Sequence, residues 1–456
     1  MKETKLGNLL GIFQRRSSSN EFLLSKADLK PCLGSTHKTD KKEEDSKKDV
    51  LNNLFPGMQS GEAFLEYSMK QLAPYLAFGV MLVRIDNMKE PDQEQNLADM
   101  DKVLSDIAGE INALCKAENG FWGRSDQFEF GCYFPDENAL ACLKFAVKLK
   151  ANIEKLGVNT VTTGVAAYPA FIYRKNDIII NAKKALEHAD FFGPGSIVAF
   201  DAVSLNISGD KLYQDGDIDG AIKEFKTALL FDPDNVNVHN SLGVCYGVLG
   251  DFVKAIKEFK ASIKFAPKEI MPLYNAGLVY HLIGKKEKAL KHFLKAGDLG
   301  EELFEINFQT GKLLLGTGKP EEGRKYLEKA LNMRPESSVA LFYLGESFAV
   351  TGMPDDAEIA YKKAIKINPN DAASLSSLGW IYETENKNSD VSIAFCTQSV
   401  EIDPDNGLFR QRLGRLYLKQ NLFREALSEF VKAEKLGCES KMYIKMARKN
   451  KSTTTE

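Results

Sequence analysis

Seven glycines in the second half of the chain set the strongest limit on what it can fold into. Gly209, Gly243, Gly277, Gly311, Gly345 and Gly379 follow one another at intervals of 34 residues, and Gly414 comes one residue late. A fixed interval of this size marks an array of like units rather than one globular core. The surroundings repeat with it. In residues 236–269, Leu242-Gly243 is followed by Tyr246, Gly250, Ala255, Phe259 and Pro267. In residues 338–371 the same places hold Leu344-Gly345, Phe348, Gly352, Ala357, Tyr361 and Pro369.

Each unit reads as two short helices, because its apolar residues recur at three, four and seven places. Gly250, Gly284, Gly318 and Gly352 fall between the helices, where positive φ ends the first one. Pro233, Pro267, Pro335, Pro369 and Pro404 stop the second. Polar residues such as Asp234 and Asn235 then stand ready to cap the next helix. Small residues let two helix axes approach, and rings fill the space between pairs. One pair cannot bury its own apolar face, whereas a stack can.

This pattern resembles the tetratricopeptide repeat over seven consecutive copies, at 202–235, 236–269, 270–303, 304–337, 338–371, 372–406 and 407–440. Gly323 stands where the family has Ala, and Asn386 and Asn421 replace the turn glycine. Residues 441–456 read as a capping helix and tail. The resemblance implies an all-α superhelix whose first helices line a concave groove. Carried onto this sequence, the groove positions include Asn240, Tyr274, His281, Phe308, Lys312, Phe342, Trp380 and Arg415. Tyr274, Phe308 and Phe342 would form an aromatic ladder suited to an apolar or helical peptide. Plain packing against neighbouring side chains accounts for the same residues equally well. The family's basic clamp for terminal carboxylates is not apparent.

Composition excludes several classes. The formal net charge of −3 gives no general attraction to nucleic acid or acidic membrane. Seven scattered cysteines form no C-x-x-C pair, and an odd number argues against a disulfide framework, which fits a reducing cytoplasm. The histidines show no metal spacing. The most apolar run, Leu72–Ile85, contains Arg84 and is shorter than the roughly 20 residues of a membrane span. Residues 1–50 read as a disordered tail and charged linker, with Leu9–Phe13 and Phe22–Leu24 as candidate docking motifs.

Between residues 51 and 201 the pattern changes to alternating strands and helices. A strand is expected over Leu76–Ile85, a helix over Leu97–Ala117, and two strands about a tight connection at Ser125-Asp126. A helix over Asn138–Leu156, a strand over Thr160–Tyr168, a helix over Asp177–Phe191 and a strand over Ser196–Phe200 follow. The core order is β-α-β-β-α-β, an α+β ferredoxin-like arrangement.

Five segments of this region resemble the GGDEF domain of diguanylate cyclases. Trp122-Gly123-Arg124-Ser125-Asp126-Gln127-Phe128 stands at the GGDEF hairpin. Arg84-Ile85-Asp86-Asn87-Met88-Lys89, Asp101 with Leu104 and Ala108, Thr163–Pro169, and Ala185-Leu186 with Ala189 match the flanking motifs. The resemblance implies metal-assisted joining of two nucleoside triphosphates, and the departures argue against it. Arg84 replaces a metal carboxylate, and an arginine stays protonated. Arg124 and Ser125 replace the two glycines, and Gln127 replaces an acid. The expectation is a domain with no catalytic residues, no metal and no cofactor. Arg84 is expected to pair with Asp126 in the vacated metal position. A residual nucleotide pocket would comprise Arg84, Asp86, Asp101, Arg124, Ser125, Asp126 and Gln127, although a structural domain is the simpler reading.

The sequence thus reads as a degenerate GGDEF-type domain followed by a tetratricopeptide superhelix. Its expected role is a non-catalytic scaffold in bacterial cytoplasmic signalling. The partner is a protein or peptide in the groove, with a possible nucleotide at the first domain and neither nucleic acid nor a membrane span. A divergent diguanylate cyclase and a nucleotide-gated adaptor remain the alternatives. The short passage from Phe200 to the first repeat predicts a packed junction.

Overall fold

The computed structural model describes residues 50–88, 95–157, 159–300 and 303–453. Residues 1–49 of the proposed tail, with its two docking motifs, and Lys89 lie outside the described residues, whereas Val50 begins the first described helix. The chain divides into two compact units, Met1–Pro267 and Lys268–Glu456.

The first unit opens with helices α1 (Val50–Leu54) and α2 (Gly61–Leu72). Strand β1 (Phe78–Ile85), helix α3 (Gln95–Ala117), and strands β2 (Phe121–Asp126) and β3 (Glu129–Pro135) follow. Helix α4 (Ala139–Leu156), strand β4 (Val161–Tyr168), helix α5 (Ile178–Ala189) and the short strand β5 (Ile197–Ala199) complete its α/β part. The strand order is β2-β3-β1-β4-β5. Strand β1 runs antiparallel to both β3 and β4, and β5 joins β4 in parallel.

β1 is a continuous apolar run because both faces of this sheet are covered. Met81, Val83 and Ile85 pack with Ile107 and Ile111 of α3 and Leu149 of α4. Val80 and Leu82 pack with Phe64 of α2 and Ile178 and Leu186 of α5. Side chains alternate along a strand, so two apolar layers require an unbroken apolar sequence. The β2–β3 connection departs from expectation. Ser125 and Asp126 belong to β2, and the turn falls at Gln127-Phe128. A register shift between Arg124 and Asp126 carries the strand those extra residues.

Two helical hairpins end the first unit: α6 (Ala202–Gln214) with α7 (Ile218–Phe231), and α8 (Val236–Val248) with α9 (Phe252–Phe265). The junction is packed. Lys184 of α5 pairs with Glu224 of α7 at 2.8 Å, and Phe231 meets Phe171, Tyr173 and Phe200.

The second unit stacks five further hairpins. These are α10 (Ile270–Leu282) with α11 (Lys286–Gly297), α12 (Phe304–Leu315) with α13 (Pro320–Met333), and α14 (Ser338–Val350) with α15 (Pro354–Ile367). Then come α16 (Ala372–Thr384) with α17 (Ser389–Ile402), α18 (Gly407–Lys419) with α19 (Phe423–Lys435), and a last helix α20 (Lys441–Thr453) on α19. Among the described residues no helix is long and apolar enough to cross a membrane, and the six described cysteines carry free thiols.

One contact recurs in nearly every hairpin. The period glycine of the first helix lies against the side chain sixteen residues further on. A Cβ on Gly243 would lie 2.6 Å from Phe259, on Gly277 2.6 Å from Phe293, and on Gly345 2.5 Å from Tyr361. In the fourth copy the ring is replaced by Leu327, and Gly323 supplies a second bare position facing Gly311. The unusual Gly323 thus belongs to a closer crossing of α12 and α13. The turn residues Asn386 and Asn421 adopt φ of 49° and 60°, the conformation of the glycines they replace.

A buried ion pair appears in two hairpins. His239 Nδ1 lies 2.8 Å from Glu258, and its Nε2 lies 2.9 Å from the Pro233 carbonyl oxygen. In the last hairpin Arg410 takes the same place, donating to Glu429 and to the Pro404 carbonyl, each at 2.6 Å. With two acceptors, the His239 ring is favoured as the imidazolium, and the Glu258 hydrogen bond pushes its pKa up.

Two predictions follow from these contacts. Gly277→Ala drives a methyl into Phe293 and lowers stability by about 1–3 kcal/mol in urea unfolding; an unchanged midpoint refutes the contact. A raised folded pKa adds stability that is complete below the ordinary value and fades as pH rises through the folded value. His239→Gln is therefore more costly at pH 6 than at pH 8.5 in thermal melts, and a pH-independent difference contradicts the charged pair.

Candidate functional site

The first unit contains a cavity of about 290 Å³ at the end of β1, lined by Arg84, Asp86, Met88, Phe128, Asp190 and Pro194 among others. Arg84, near the end of the strand, forms an ion pair with Asp190, which follows α5. It does not pair with Asp126, as the sequence suggested. The Asp126 carboxylate is exposed and, among the described residues, accepts from the neighbouring Gln127 amide at 2.7 Å.

Asp86 is buried and closes the other wall. Its carboxylate accepts from the Thr160 hydroxyl at 2.7 Å, the Thr162 hydroxyl at 2.6 Å and the Gly195 amide at 2.8 Å. These donors come from β4 and from the loop before β5. Asp86 is therefore a clasp that ties three segments together, with both oxygens occupied.

The remaining residues of the expected nucleotide pocket do not gather here. Arg124 turns back on its own hairpin, donating to the carbonyls of Asp126 at 3.2 Å and Gln127 at 2.6 Å. Ser125 Oγ is buried without a hydrogen-bond partner among the described residues. Asp101 sits in α3, where its carbonyl accepts from Ser105 at 2.6 Å. The cavity thus includes Arg84 and Asp86 of the seven residues, and Phe128 rather than the residues before it. Among the described residues no group of three or more His, Cys, Asp or Glu is placed to hold a metal ion.

On the helical face of the second unit, the three expected ladder residues do not form one row. Tyr274 is buried and meets Phe293 of its own hairpin at 5.8 Å. Burial, followed by the nearby Glu305 charge, pushes its phenol pKa up. Phe308 lies parallel to Phe304 at 5.6 Å and edge-on to Tyr343 at 5.7 Å. Phe342 meets Tyr343 at 5.2 Å and Tyr361 at 6.0 Å. Tyr343, one residue beyond the position read from the sequence, joins Phe308 to Phe342 and carries Lys312 over its ring at 5.2 Å.

The other groove residues spread along the first helices. His281 Nδ1 is buried without a hydrogen-bond partner among the described residues, and burial, then Lys312 and Lys286, lowers its pKa. At neutral pH it is an uncharged ring. Arg415 of α18 stacks on Trp380 of α16, with Cζ 4.1 Å from the ring centroid. Asn240 is buried in α8 of the first unit. Phe308, Lys312, Phe342, Trp380 and Arg415 are all half-buried, so each presents some surface to solvent. Two residues absent from the sequence reading belong with them. Arg412 donates to the Ser376 and Ser377 hydroxyls at 3.1 Å, and Tyr443 of α20 faces Arg415 at 5.4 Å.

The clasp makes a direct prediction. Asp86→Ala leaves two hydroxyls and an amide without their acceptor and destabilises the first unit by about 3 kcal/mol in thermal or urea unfolding. Asp126→Ala, on an exposed carboxylate, changes stability by less than about 0.5 kcal/mol. Equal effects at the two positions contradict this assignment of roles.

Comparison with known proteins bears on the helical part. Family models described as TPR repeat match residues 209–250, and models described as tetratricopeptide repeat match residues 308–372 and 360–391. No curated protein sequence matches the chain. Similar solved structures include YrrB, described as a TPR protein with an unusual peptide-binding site, at 19% identity over 41% of this chain and 95% of that one, with a TM-score of 0.37. A tetratricopeptide repeat protein from Parabacteroides merdae matches at 21% identity over 55% of this chain and 98% of its own, with a TM-score of 0.43. MamA matches at 26% identity over 36% and 96%, with a TM-score of 0.34. The family models and the regular hairpins agree, and the chain carries tetratricopeptide repeats.

Proposed function

We propose that this protein is a non-catalytic scaffold or adaptor. The first helices of the second unit take up a protein or peptide, and residues 51–201 act as a degenerate GGDEF-type docking or sensing domain in bacterial cytoplasmic signalling. The domain limits that accompany this reading are 1–50 for the tail, 202–440 for seven repeats and 441–456 for the capping segment.

The observation that carries the binding role is the half-buried cluster of Phe308, Tyr343 and Phe342 with Lys312, together with the pair of Trp380 and Arg415. Rings whose edges remain open, set among cations, suit a peptide that is both apolar and polar. The ferredoxin-like reading is supported by the antiparallel order β2-β3-β1-β4, with the two crossover helices α3 and α4 packed on one face. Absence of cyclase chemistry is supported by the two groups at the end of β1. Asp86 has both oxygens engaged, and Arg84 is neutralised by Asp190. Metal-assisted phosphoryl chemistry needs free carboxylates to hold the cation. A nucleotide-gated adaptor is less favoured, because Arg84 and Arg124 are both committed within the protein.

Two experiments test this. The full chain with Phe308→Ala and Phe342→Ala loses about tenfold in affinity for a captured partner in titration calorimetry, while the Val253→Ala control, on an exposed residue of the first unit, does not. Equal affinity removes those rings from the site. Incubation with GTP or ATP and magnesium yields no cyclic or linear dinucleotide, and product formation overturns the non-catalytic reading.

A further inference from the structure

We infer that Arg415 is an anion receptor within the groove, taking the carboxylate of an Asp or Glu side chain in a bound peptide. The inference rests on the groove reading above and specifies the chemistry that the groove selects.

The geometry of Arg415 differs from that of the other arginines nearby. Its guanidinium lies 4.1 Å from the centroid of Trp380 and 5.4 Å from that of Tyr443. Both rings attract the cation and restrain it. The five N–H donors of a guanidinium point outward within its plane. Among the described residues none of those donors meets a protein acceptor, and Arg415 has no carboxylate partner. By contrast, Arg324 donates to the Ser347 carbonyl at 3.2 Å, Arg334 pairs with Glu305 at 2.7 Å, and Arg410 pairs with Glu429 at 2.6 Å. A planar, stacked fork with its edge free is the arrangement that matches a carboxylate with two parallel hydrogen bonds. Its side chain is already ordered, so less conformational freedom is lost on binding.

The charges along the first helices point the same way. Lys312 lies over a ring, and Arg412 donates only to two hydroxyls; neither has a carboxylate partner among the described residues. Glu383 is taken by Lys419 at 2.5 Å, and Glu305 by Arg334. Glu346 accepts from Tyr361 and Ser377. Among the described residues Lys312, Arg412 and Arg415 thus lack carboxylate partners although the whole chain is slightly acidic.

An internal acidic side chain fits better than a chain terminus. A terminal carboxylate is held by several convergent donors, and the neighbouring Arg412 already donates to Ser376 and Ser377. A phosphate draws on several convergent donors, and Arg412 is already engaged. The arrangement also gives α20 a task. Tyr443 is braced on Phe430 at 5.2 Å and forms one wall of the receptor.

The test screens the full chain against a random library of dodecapeptides with acetylated N-termini and amidated C-termini, with Trp380 fluorescence in a Trp122→Phe background as the readout. Enriched peptides are expected to share an Asp or Glu. Replacing that acid by its amide weakens binding about tenfold. Arg415→Met weakens the acidic peptide about tenfold and leaves the amide peptide unchanged, while Tyr443→Ala produces a smaller loss. Arg415→Lys, which keeps charge but not the fork, loses several-fold and serves if the methionine variant melts early. The inference is overturned if enriched peptides are neutral or basic, if Arg415→Met leaves the acidic peptide unaffected, or if acid preference appears only with free C-termini or phosphorylated peptides. A screen that enriches nothing overturns the groove reading and this inference together; neutral binders sensitive to Phe308→Ala overturn this inference alone.

Discussion

A bare helix surface pressed against a ring sixteen residues later is the contact on which the helical part of this chain depends. Gly243 on Phe259, Gly277 on Phe293, Gly345 on Tyr361 and Gly414 on Phe430 are copies of one solution. Removing the side chain from one helix lets the second come close enough for a ring to lie flat on its backbone. Dispersion over that contact and burial of the ring then favour the antiparallel hairpin. The hairpin leaves an apolar edge that only another hairpin covers, so the local contact propagates into a stack. Where the ring is lost, the crossing tightens: Leu327 and Cys396 sit in its place, and Gly323 adds a second close approach.

Stacking in this way leaves the first helices free to carry function. Their outward positions are only partly buried, so they can carry groups that a core would exclude. Half-buried rings and cations without carboxylates collect there in the second unit, from Phe308 to Arg415. The α/β part of the first unit shows the opposite economy. Its charged residues at the strand end are drawn inward, Asp86 by three donors and Arg84 by Asp190, and they serve the fold.

Much of this was legible in the sequence because the deciding interactions are short-range and recur. Helix pairs follow from glycine, ring and proline spacing. β1 follows from an apolar run that only a doubly covered sheet explains. What escaped was long-range or irregular. Asp190, the partner of Arg84, lies 106 residues away, and Gly195, a partner of Asp86, lies 109 residues away. Asp126 was expected opposite Arg84, yet the shifted register of β2 places it in the strand and the turn at Gln127. The ladder of Tyr274, Phe308 and Phe342 treated one position per repeat as a row. Tyr274 instead turned into its own hairpin, and Tyr343, a neighbour of that position, became the bridge. Tyr443 lies beyond the last repeat, so no periodic reading would have set it beside Arg415.

The central claim is that the first-helix face of the second unit is where this protein meets its partner. Hydrogen exchange of the full chain, read by mass spectrometry with and without a bound peptide, tests it most directly. The account predicts that peptide binding slows exchange in α12, α14, α16 and α18 and leaves residues 51–201 unchanged. Protection confined to the α/β part, or to the second helices α13, α15 and α17, would contradict it.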